Sequence, residues 1–501
     1  MLNWFGRHKP DVSPVHRSAS EVIAGLTDPD GVENLVAVTA ALDALTQRSG
    51  LFTEDRFDEI QRLDSAAQPL LFGMIKEYLA TARHKKARES KLWGSATSYL
   101  QELYRAYLLC LKRYEADPRG STRFRLKLPI AVARALRALR LQLKWALLRY
   151  ATPEQHLWTE MAGLYAFAVS NGIADEEVPF YLGRQTSVKE EFVTALMIAA
   201  CSSDSLRPAE LDLATRLVDL YSRHFVISEQ PFEGCTHWFD LQASHPPVHA
   251  SKPPPENDSV RYVGAGDALA ELEAVRVEIT RTETVPLALL FYEKQNDLLL
   301  LAALNHLALD WAGISHARMD ERRTASARIT VVPGLPGILR ALDFAVNDSL
   351  DFTDQAAAES WVVENISAGG YGAVIPAIAG DWVEVGSLVG IEGNSIRDWR
   401  VGVIRRVNRL EGDQQRVGMQ LLGTTAVRVL LSQNAARSVP AVLIVETQDG
   451  VEVLVRSGMF THMNETEMLL RNKRLRLKPA KVVERSAHAE RVALQVVPHT
   501  V

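Results

Sequence analysis

The hydrophobic period of the chain changes near residue 328, and this change constrains the fold more than any other feature. From about residue 20 to residue 230, apolar residues recur at helical spacing, as at Leu35, Val38 and Leu42. From residue 328 onward the period shifts toward two, with frequent glycine and Asn/Asp turns. The pattern predicts a multidomain protein with α-helices first and antiparallel β-structure second.

The length of 501 residues predicts several domains, since a domain typically has about 150 residues. We predict a mainly α-helical module over residues 1–310, with a proline-rich break near 245–258. A β-barrel or β-sandwich with an N-terminal arginine segment follows over 311–430, and residues 431–501 form an appended β subdomain or an enlargement of the barrel. Chain breakers such as Pro69 divide the helical region into roughly eight to ten helices.

Composition excludes several classes of protein. A net charge of −5 favours neither a nucleic acid nor an acidic membrane, so we expect no specific nucleic-acid partner. Three scattered cysteines indicate a reducing compartment. The sequence has no signal-peptide core and no apolar run of about 18 residues that predicts a transmembrane segment. We therefore expect a cytoplasmic protein.

The sequence has no recognisable catalytic motif. A phosphate loop, a nucleophile elbow and a His-Glu-x-x-His motif are all missing, so we predict no enzymatic activity. Cys235, His237, His245 and His249 lie close together in sequence, but their spacing fits no common zinc pattern. We accordingly predict no metal and no cofactor.

A polar, glycine-rich corner lies between two valine-rich runs. Residues 360–364 and 371–375 read as strands, and the corner between them contains Asn365, Ser367 and a pair of glycines, Gly369 and Gly370. Glycine admits close backbone approach, while the amide and the hydroxyl supply donors and acceptors. This inventory suits the edge of a purine base.

Arginines surround this corner in the sequence. Arg318, Arg322, Arg323 and Arg328 precede the first predicted strand, near residue 329. Because Asp320 and Glu321 lie among them, an alternative interpretation is a solvated helix end with weak surface ion pairs.

Two further arginines, Arg405 and Arg406, lie on a later predicted strand. Adjacent strand residues face opposite sides, so we expect at most one of them to reach the corner. We include Arg405 in the candidate ligand-binding set.

The corner resembles the Asn/Asp-x-Ser-x-x-Gly signature of PilZ domains, which are bacterial receptors for cyclic di-GMP. Strand-like stretches that follow, at 381–389, 399–407 and 416–422, are similar to the later strands of a PilZ barrel. The resemblance covers roughly residues 315–430. It implies a cytoplasmic cyclic di-GMP effector that signals through its helical module to a partner or by self-association.

The resemblance also implies roles for the arginines, because guanidinium groups bind phosphates and guanine and stack on purines. In the family an Arg-x-x-x-Arg motif precedes the first strand. Arg318 and Arg322 have this spacing but lie well before the strand, whereas Arg323 and Arg328 adjoin the strand one residue too far apart. We favour Arg323 and Arg328 as the binding pair, with Arg322 assisting, and keep Arg318 with Arg322 as the alternative.

Two alternative functions remain. The barrel can have lost its ligand and serve as an adaptor between proteins. A weaker third hypothesis rests on the helix near 130–150, whose basic residues suggest an acidic partner or anionic lipid, or else a solvated face. These residues are Arg134, Arg137, Arg140, Lys144 and Arg149.

Overall fold

The computed structural model describes most of the chain, in segments. Outside the described residues lie Arg318 and Arg322, two of the predicted ligand residues. The described residues are 18–26, 31–48, 52–81, 86–117, 122–314, 323–346, 358–376, 382–392, 398–410, 412, 414–432, 438–447, 450–459, 466–470, 473–485 and 489–497.

These residues form two compact units. The helical unit is built from described residues within Met1–Leu148, Pro153–Cys201 and Asp212–Gly313. The barrel unit is built from those within Arg149–Thr152, Ser202–Leu211 and Ile314–Val501. The predicted order of helices first and β-structure second is confirmed.

Eleven α-helices precede the first barrel strand in the described part of the chain. Leu35, Val38 and Leu42, which suggested the helical period, are all completely buried. The helices are α1 (Ala19–Ala24), α2 (Gly31–Gln47), α3 (Glu54–Ala80), α4 (Lys86–Ala116), α5 (Thr122–Arg125), α6 (Leu128–Leu148), α7 (Gln155–Ser170), α8 (Val188–Ala200), α9 (Pro208–Leu220), α10 (Ala268–Thr282) and α11 (Asp297–Trp311).

The predicted helix end at Pro69 is wrong. Pro69 lies inside α3, although it provides no N–H for the helical hydrogen bond. The buried stripe of α3 continues past it through Leu71 and Met74. Burial of this apolar face outweighs the local cost of the proline, which by itself is about 3 kcal/mol.

Short strands accompany the helices. β1 (Val178–Pro179) pairs with β2 (Gln185–Thr186). A four-stranded sheet has the order β3-β6-β4-β5. Its strands are β3 (Val226–Ser228), β4 (Cys235–Asp240), β5 (Val248–His249) and β6 (Val260–Gly264).

A buried carboxylate joins the helices of this unit. Asp64 of α3 is completely buried and accepts hydrogen bonds from Tyr107 and Tyr181, each at 2.6 Å, and from Tyr99 at 3.3 Å. The guanidinium of Arg134 lies 2.9 Å from the same carboxylate. Burial raises the pKa of Tyr107 well above its ordinary value, and the Asp64 charge adds to this. The phenol therefore remains a donor.

A second buried carboxylate, Asp212, binds two cations. Lys144 lies 2.6 Å and Arg216 lies 2.9 Å from its oxygens. The hydroxyl of Tyr292 donates to it at 2.5 Å. Burial raises the pKa of Asp212, but the two cations outweigh burial and lower it to about 2. Asp212 is thus held as a charged partner.

These contacts correct the interpretation of the basic helix α6. Arg134, Arg140 and Lys144 are buried, with side chains only 8%, 3% and 7% exposed. Arg137 and Arg140 both lie 2.8 Å from Asp219. These cations neutralise interior carboxylates, so they form neither a solvated face nor a surface for an acidic partner.

The β-structure consists of two closed six-stranded antiparallel barrels. The first has the order β10-β11-β12-β9-β8-β7 and the second has the order β13-β14-β15-β18-β17-β16. The first contains β7 (Arg323–Pro333), β8 (Glu359–Ser367), β9 (Gly370–Pro376), β10 (Leu388–Glu392), β11 (Trp399–Leu410) and β12 (Gln414–Leu421). The second contains β13 (Thr425–Ser432), β14 (Ser438–Thr447), β15 (Gly450–Arg456), β16 (Thr466–Leu470), β17 (Lys473–Arg485) and β18 (Ala489–Val496).

The core of the first barrel includes a residue from far upstream. Tyr150 packs among the buried aliphatic side chains of the strands. Its carbonyl accepts a 2.7 Å hydrogen bond from the amide of Arg409. Trp361 and Trp382 stack in the same core at 5.6 Å, and both indoles donate to Glu359.

Helix α12 (Gly334–Val346) joins the two barrels. Its residues Leu335, Ile338 and Leu342 are buried with Val403 of the first barrel and Ile444 of the second. A separate apolar cluster fills the second barrel. Each barrel therefore has its own apolar core, and a third apolar cluster around α12 contains residues of both barrels.

None of the helices in the described ranges combines the length and apolar character required to span a membrane.

We predict that Asp64→Ala lowers the free energy of unfolding of the helical unit by about 3–5 kcal/mol, because it leaves the buried Arg134 charge without its partner. Urea unfolding followed by far-UV circular dichroism measures this loss. The control is Glu33→Ala, which removes an ion pair to Lys91 whose side chains are 57% and 49% exposed. It should cost less than about 1 kcal/mol, and equal losses would contradict the prediction.

Candidate functional site

The corner predicted from the sequence is a tight turn between β8 and β9. Ser367 pairs with Gly370, and Ala368 and Gly369 form the turn between them. The carbonyl of Gly369 accepts a 2.8 Å hydrogen bond from the amide of Leu421, the last residue of the neighbouring strand β12. The corner is thus held by the pairing of β8 with β9 and by a hydrogen bond from β12.

Gly370 is required by a close backbone contact. A Cβ atom at this position would collide with the carbonyl oxygen of Met419 on β12. Only a residue without a side chain lets the two strands approach at this point. This explains a glycine in the corner without reference to any ligand.

The register places Asn365 on the outer face of the first barrel. Val363 pairs with Ala373, and both are buried inside the barrel. A bulge at Glu364 lets the next pair, Asn365 with Gly372, lie on the opposite, outer face. Ser367 and Gly370 pair two residues further along, so they also face outward.

The side chain of Asn365 lies directly over Gly372. A Cβ on Gly372 would come within 2.6 Å of Asn365 Oδ1 and 2.7 Å of Nδ2. Among the described residues, none forms a hydrogen bond with this amide group. The amide is therefore held against the sheet while its donors and acceptor remain available to a ligand.

The first strand begins earlier than predicted, so Arg323 and Arg328 lie within β7 and do not precede it. The structure places them on opposite faces of this strand. Arg328 pairs with Val362, which is exposed, so Arg328 shares the outer face with Asn365. Arg323 pairs with Ile366, whose other partner, Tyr371, packs against the barrel core. Arg323 therefore lies at the end of the barrel on the opposite side of its strand.

Arg405 is already engaged. Its guanidinium donates to both carboxylate oxygens of Glu484 on the second barrel, at 2.9 and 3.2 Å. Its Nε donates to the side chain of Gln420 at 2.8 Å. Arg405 would reach a ligand only by giving up this pair with Glu484.

Charge is unevenly neutralised on the outer face. Arg416 pairs with Glu364 at 2.9 Å and is thereby compensated. Arg328 is exposed, and no carboxylate of the described residues pairs with it. Arg328 and the Asn365 amide thus offer one positive charge and one amide to an anionic, base-containing ligand.

Sequence reasoning missed Gly372. Its only signal was its spacing of two from Gly370, which puts both glycines on one face of a strand. Its contact with Asn365 depends on the bulge at Glu364, and no local pattern in the sequence predicts that bulge.

No group of His, Cys, Asp or Glu residues suited to holding a metal ion occurs in the part of the chain that the structure describes. The rings of His237 and His249 meet edge to face at 5.3 Å. Burial and the neighbouring His249 lower the pKa of His237 to about 4, so His237 is neutral near neutral pH.

We predict that Gly370→Ala destabilises the barrel unit by roughly 1–3 kcal/mol, because the added methyl group forces β9 away from Met419. Gly418→Ala on β12 is the matched control, since its nearest contact would be 3.4 Å from the Cβ of Arg406. Thermal unfolding of the two variants measures the difference. The same melting temperature for both would show that the close contact at Gly370 has no such cost.

Two family models match this chain. The N-terminal domain of the cyclic-di-GMP receptor FimW matches residues 17–231, and the middle PilZ domain of the same receptor matches residues 351–427. The second range contains the corner from Asn365 to Gly370. A comparison with curated proteins found no match. The chain therefore belongs to the FimW family of cyclic di-GMP receptors and carries its PilZ domain in the first barrel.

Proposed function

We propose that this protein binds cyclic di-GMP on the outer face of the first barrel and transmits the binding event to its helical unit. One observation carries the proposal. Asn365, Ser367 and Gly370 share an outer face with Arg328. Among the described residues, no carboxylate pairs with Arg328 and no group forms a hydrogen bond with the Asn365 amide.

The chemistry of this face suits the ligand. Cyclic di-GMP has two phosphate charges and two guanines. The guanidinium of Arg328 can grip a phosphate or stack on a purine, and the Asn365 amide can pair with the polar edge of guanine. A micromolar affinity requires about −8 kcal/mol. Three or four charge-assisted contacts at about 1.5–3 kcal/mol each can supply that.

The remaining sequence candidates belong to the proposal as further ligand contacts. Arg318 and Arg322 lie outside the described residues, and Arg323 begins β7. Gly369 contributes a turn without a side chain. Arg405 joins the set only if the ligand displaces Glu484 from it.

Transmission would use the segment that leads into β7. The candidate arginines Arg318 and Arg322 lie between α11 and the first barrel in the sequence, and Arg323 is the first residue of β7. A ligand that engages them would bias this segment toward one arrangement, and differential contacts of this kind shift a conformational equilibrium. A receptor for a bacterial second messenger acts where the nucleotide is made, so the proposal places the protein in the cytoplasm. The proposed protein has no catalytic activity. Its helical unit binds a protein partner or a second copy of the chain.

We predict that Arg328→Ala and Asn365→Ala each weaken binding of cyclic di-GMP about tenfold or more, because each removes contacts to a charged ligand. Isothermal titration calorimetry with the full chain measures the affinities. Arg474→Ala is the matched control, since this arginine is 81% exposed on the second barrel, and it should bind like the wild type.

A ligand control completes this titration. Cyclic di-AMP has the same phosphate ring with a different base edge, so it should bind the wild type more weakly. If the wild type gives no heat and no thermal shift with cyclic di-GMP, the receptor proposal fails. The adaptor alternative would then lead, and pull-down experiments would test it for a stable partner.

We also predict that saturating cyclic di-GMP slows amide hydrogen exchange in peptides from residues 312–330 and changes the small-angle scattering curve of the protein. Both effects follow if the ligand fixes the segment that connects helices and barrel. Exchange in α6, where Arg134, Arg140 and Lys144 are buried, should stay the same. Unchanged scattering and unchanged exchange at saturation would refute the transmission mechanism while leaving binding intact.

A further inference from the structure

The outer face of the first barrel contains a row of four residues in register. Antiparallel pairs lie on the same face of a sheet, so a row can be followed from strand to strand. Asn365 of β8 pairs with Gly372 of β9, Gly372 pairs with Gly418 of β12, and Gly418 pairs with Arg406 of β11. The row therefore has an amide at one end, a guanidinium at the other and two glycines between them.

The two glycines leave the middle of this row without side chains. Three strand spacings separate Asn365 from Arg406, which is about 14 Å along the sheet. The amide of Asn365 covers Gly372 from one end. At the other end, the stem of Arg406 lies 3.4 Å (Cβ) and 3.9 Å (Cγ) from the place of a Cβ on Gly418. Gly372 is buried beneath this amide, whereas Gly418 is half-buried, so a flat ring can approach the sheet at Gly418, between two polar side chains.

A bulge decides which of two consecutive arginines faces this row. The register between β11 and β12 shifts between Ile404 and Arg406, so Arg405 is the extra residue. Arg405 is bound to Glu484 and Gln420. Arg406 is exposed, and no carboxylate of the described residues pairs with it. The bulge thus leaves Arg406 with its guanidinium available beside the glycines.

We propose that Arg406 is a ligand-contact residue that closes the cyclic di-GMP face from the side opposite Asn365. Its planar guanidinium would contact the nucleotide above the glycine floor, by stacking on the base or by a bidentate contact to its polar edge. The inference rests on the proposed function. It adds a ligand contact from Arg406 on β11, which belongs neither to the β8–β9 corner nor to the arginine segment near the start of β7.

Calorimetry with the full chain tests this assignment. Arg406→Ala should weaken binding of cyclic di-GMP about tenfold or more, and Arg406→Lys should restore only part of the loss, because lysine keeps the charge without the planar group. Arg456→Ala is the matched control, since Arg456 is also an exposed strand arginine, on the second barrel. This variant should bind like the wild type.

A second variant separates a ligand role from a structural one. Gly418→Ala places a methyl group on the floor at an ordinary contact distance from Arg406, so it should reduce affinity without lowering the melting temperature. Arg406→Ala should likewise leave the melting temperature of the free protein unchanged.

The outcomes distinguish the two proposals. If Arg406→Ala binds like the wild type while Arg328→Ala and Asn365→Ala lose affinity, the role of Arg406 is wrong and the receptor function stands. If the wild type does not bind, the receptor function fails and this inference fails with it.

Discussion

The close approach of β9 to β12 at Gly370 is the constraint on which the candidate face depends. Backbone contact with Met419 fixes Gly370 opposite Gln420, and this register puts Gly372 opposite Gly418. Because side chains alternate along a strand, a slip of one residue would turn the polar residues of the face into the barrel core. The candidate face thus follows from a packing requirement of the barrel, and its polar residues occupy positions that this packing leaves free.

The helical unit depends on a different constraint, the neutralisation of charges in its interior. Burying a carboxylate is costly unless it is both paired and hydrogen-bonded. Asp64 satisfies this with the guanidinium of Arg134 and three phenols. Two of the phenols lie on α4, the guanidinium lies on α6, and the third phenol, that of Tyr181, begins a short 3-10 helix. Such a site tolerates few alternative arrangements of its donors, so it selects one relative placement of these elements in addition to holding them together.

Local patterns predicted the parts of the molecule that local chemistry determines. The period of two and the turn residues predicted the β8–β9 corner, which the structure places where expected. The burial of Arg134 could not be predicted, because its partner Asp64 lies 70 residues away in sequence. The same reason applies to the bulge at Arg405, which depends on the neighbouring strand. Pro69 shows the converse, since a strong local rule was overruled by a buried apolar stripe.

The position of Tyr150 in the sequence affects how the first barrel folds, because this core residue lies far upstream of the barrel strands. The chain is synthesised from its N-terminus, so Tyr150 leaves the ribosome long before β11, whose Arg409 amide binds its carbonyl. Until the barrel strands follow, this aromatic ring has no apolar interior to enter. Closing the barrel therefore means capturing a distant segment, a non-local step that slows folding. A fragment that began at β7 would lack this ring and leave a hollow among the residues that surround it.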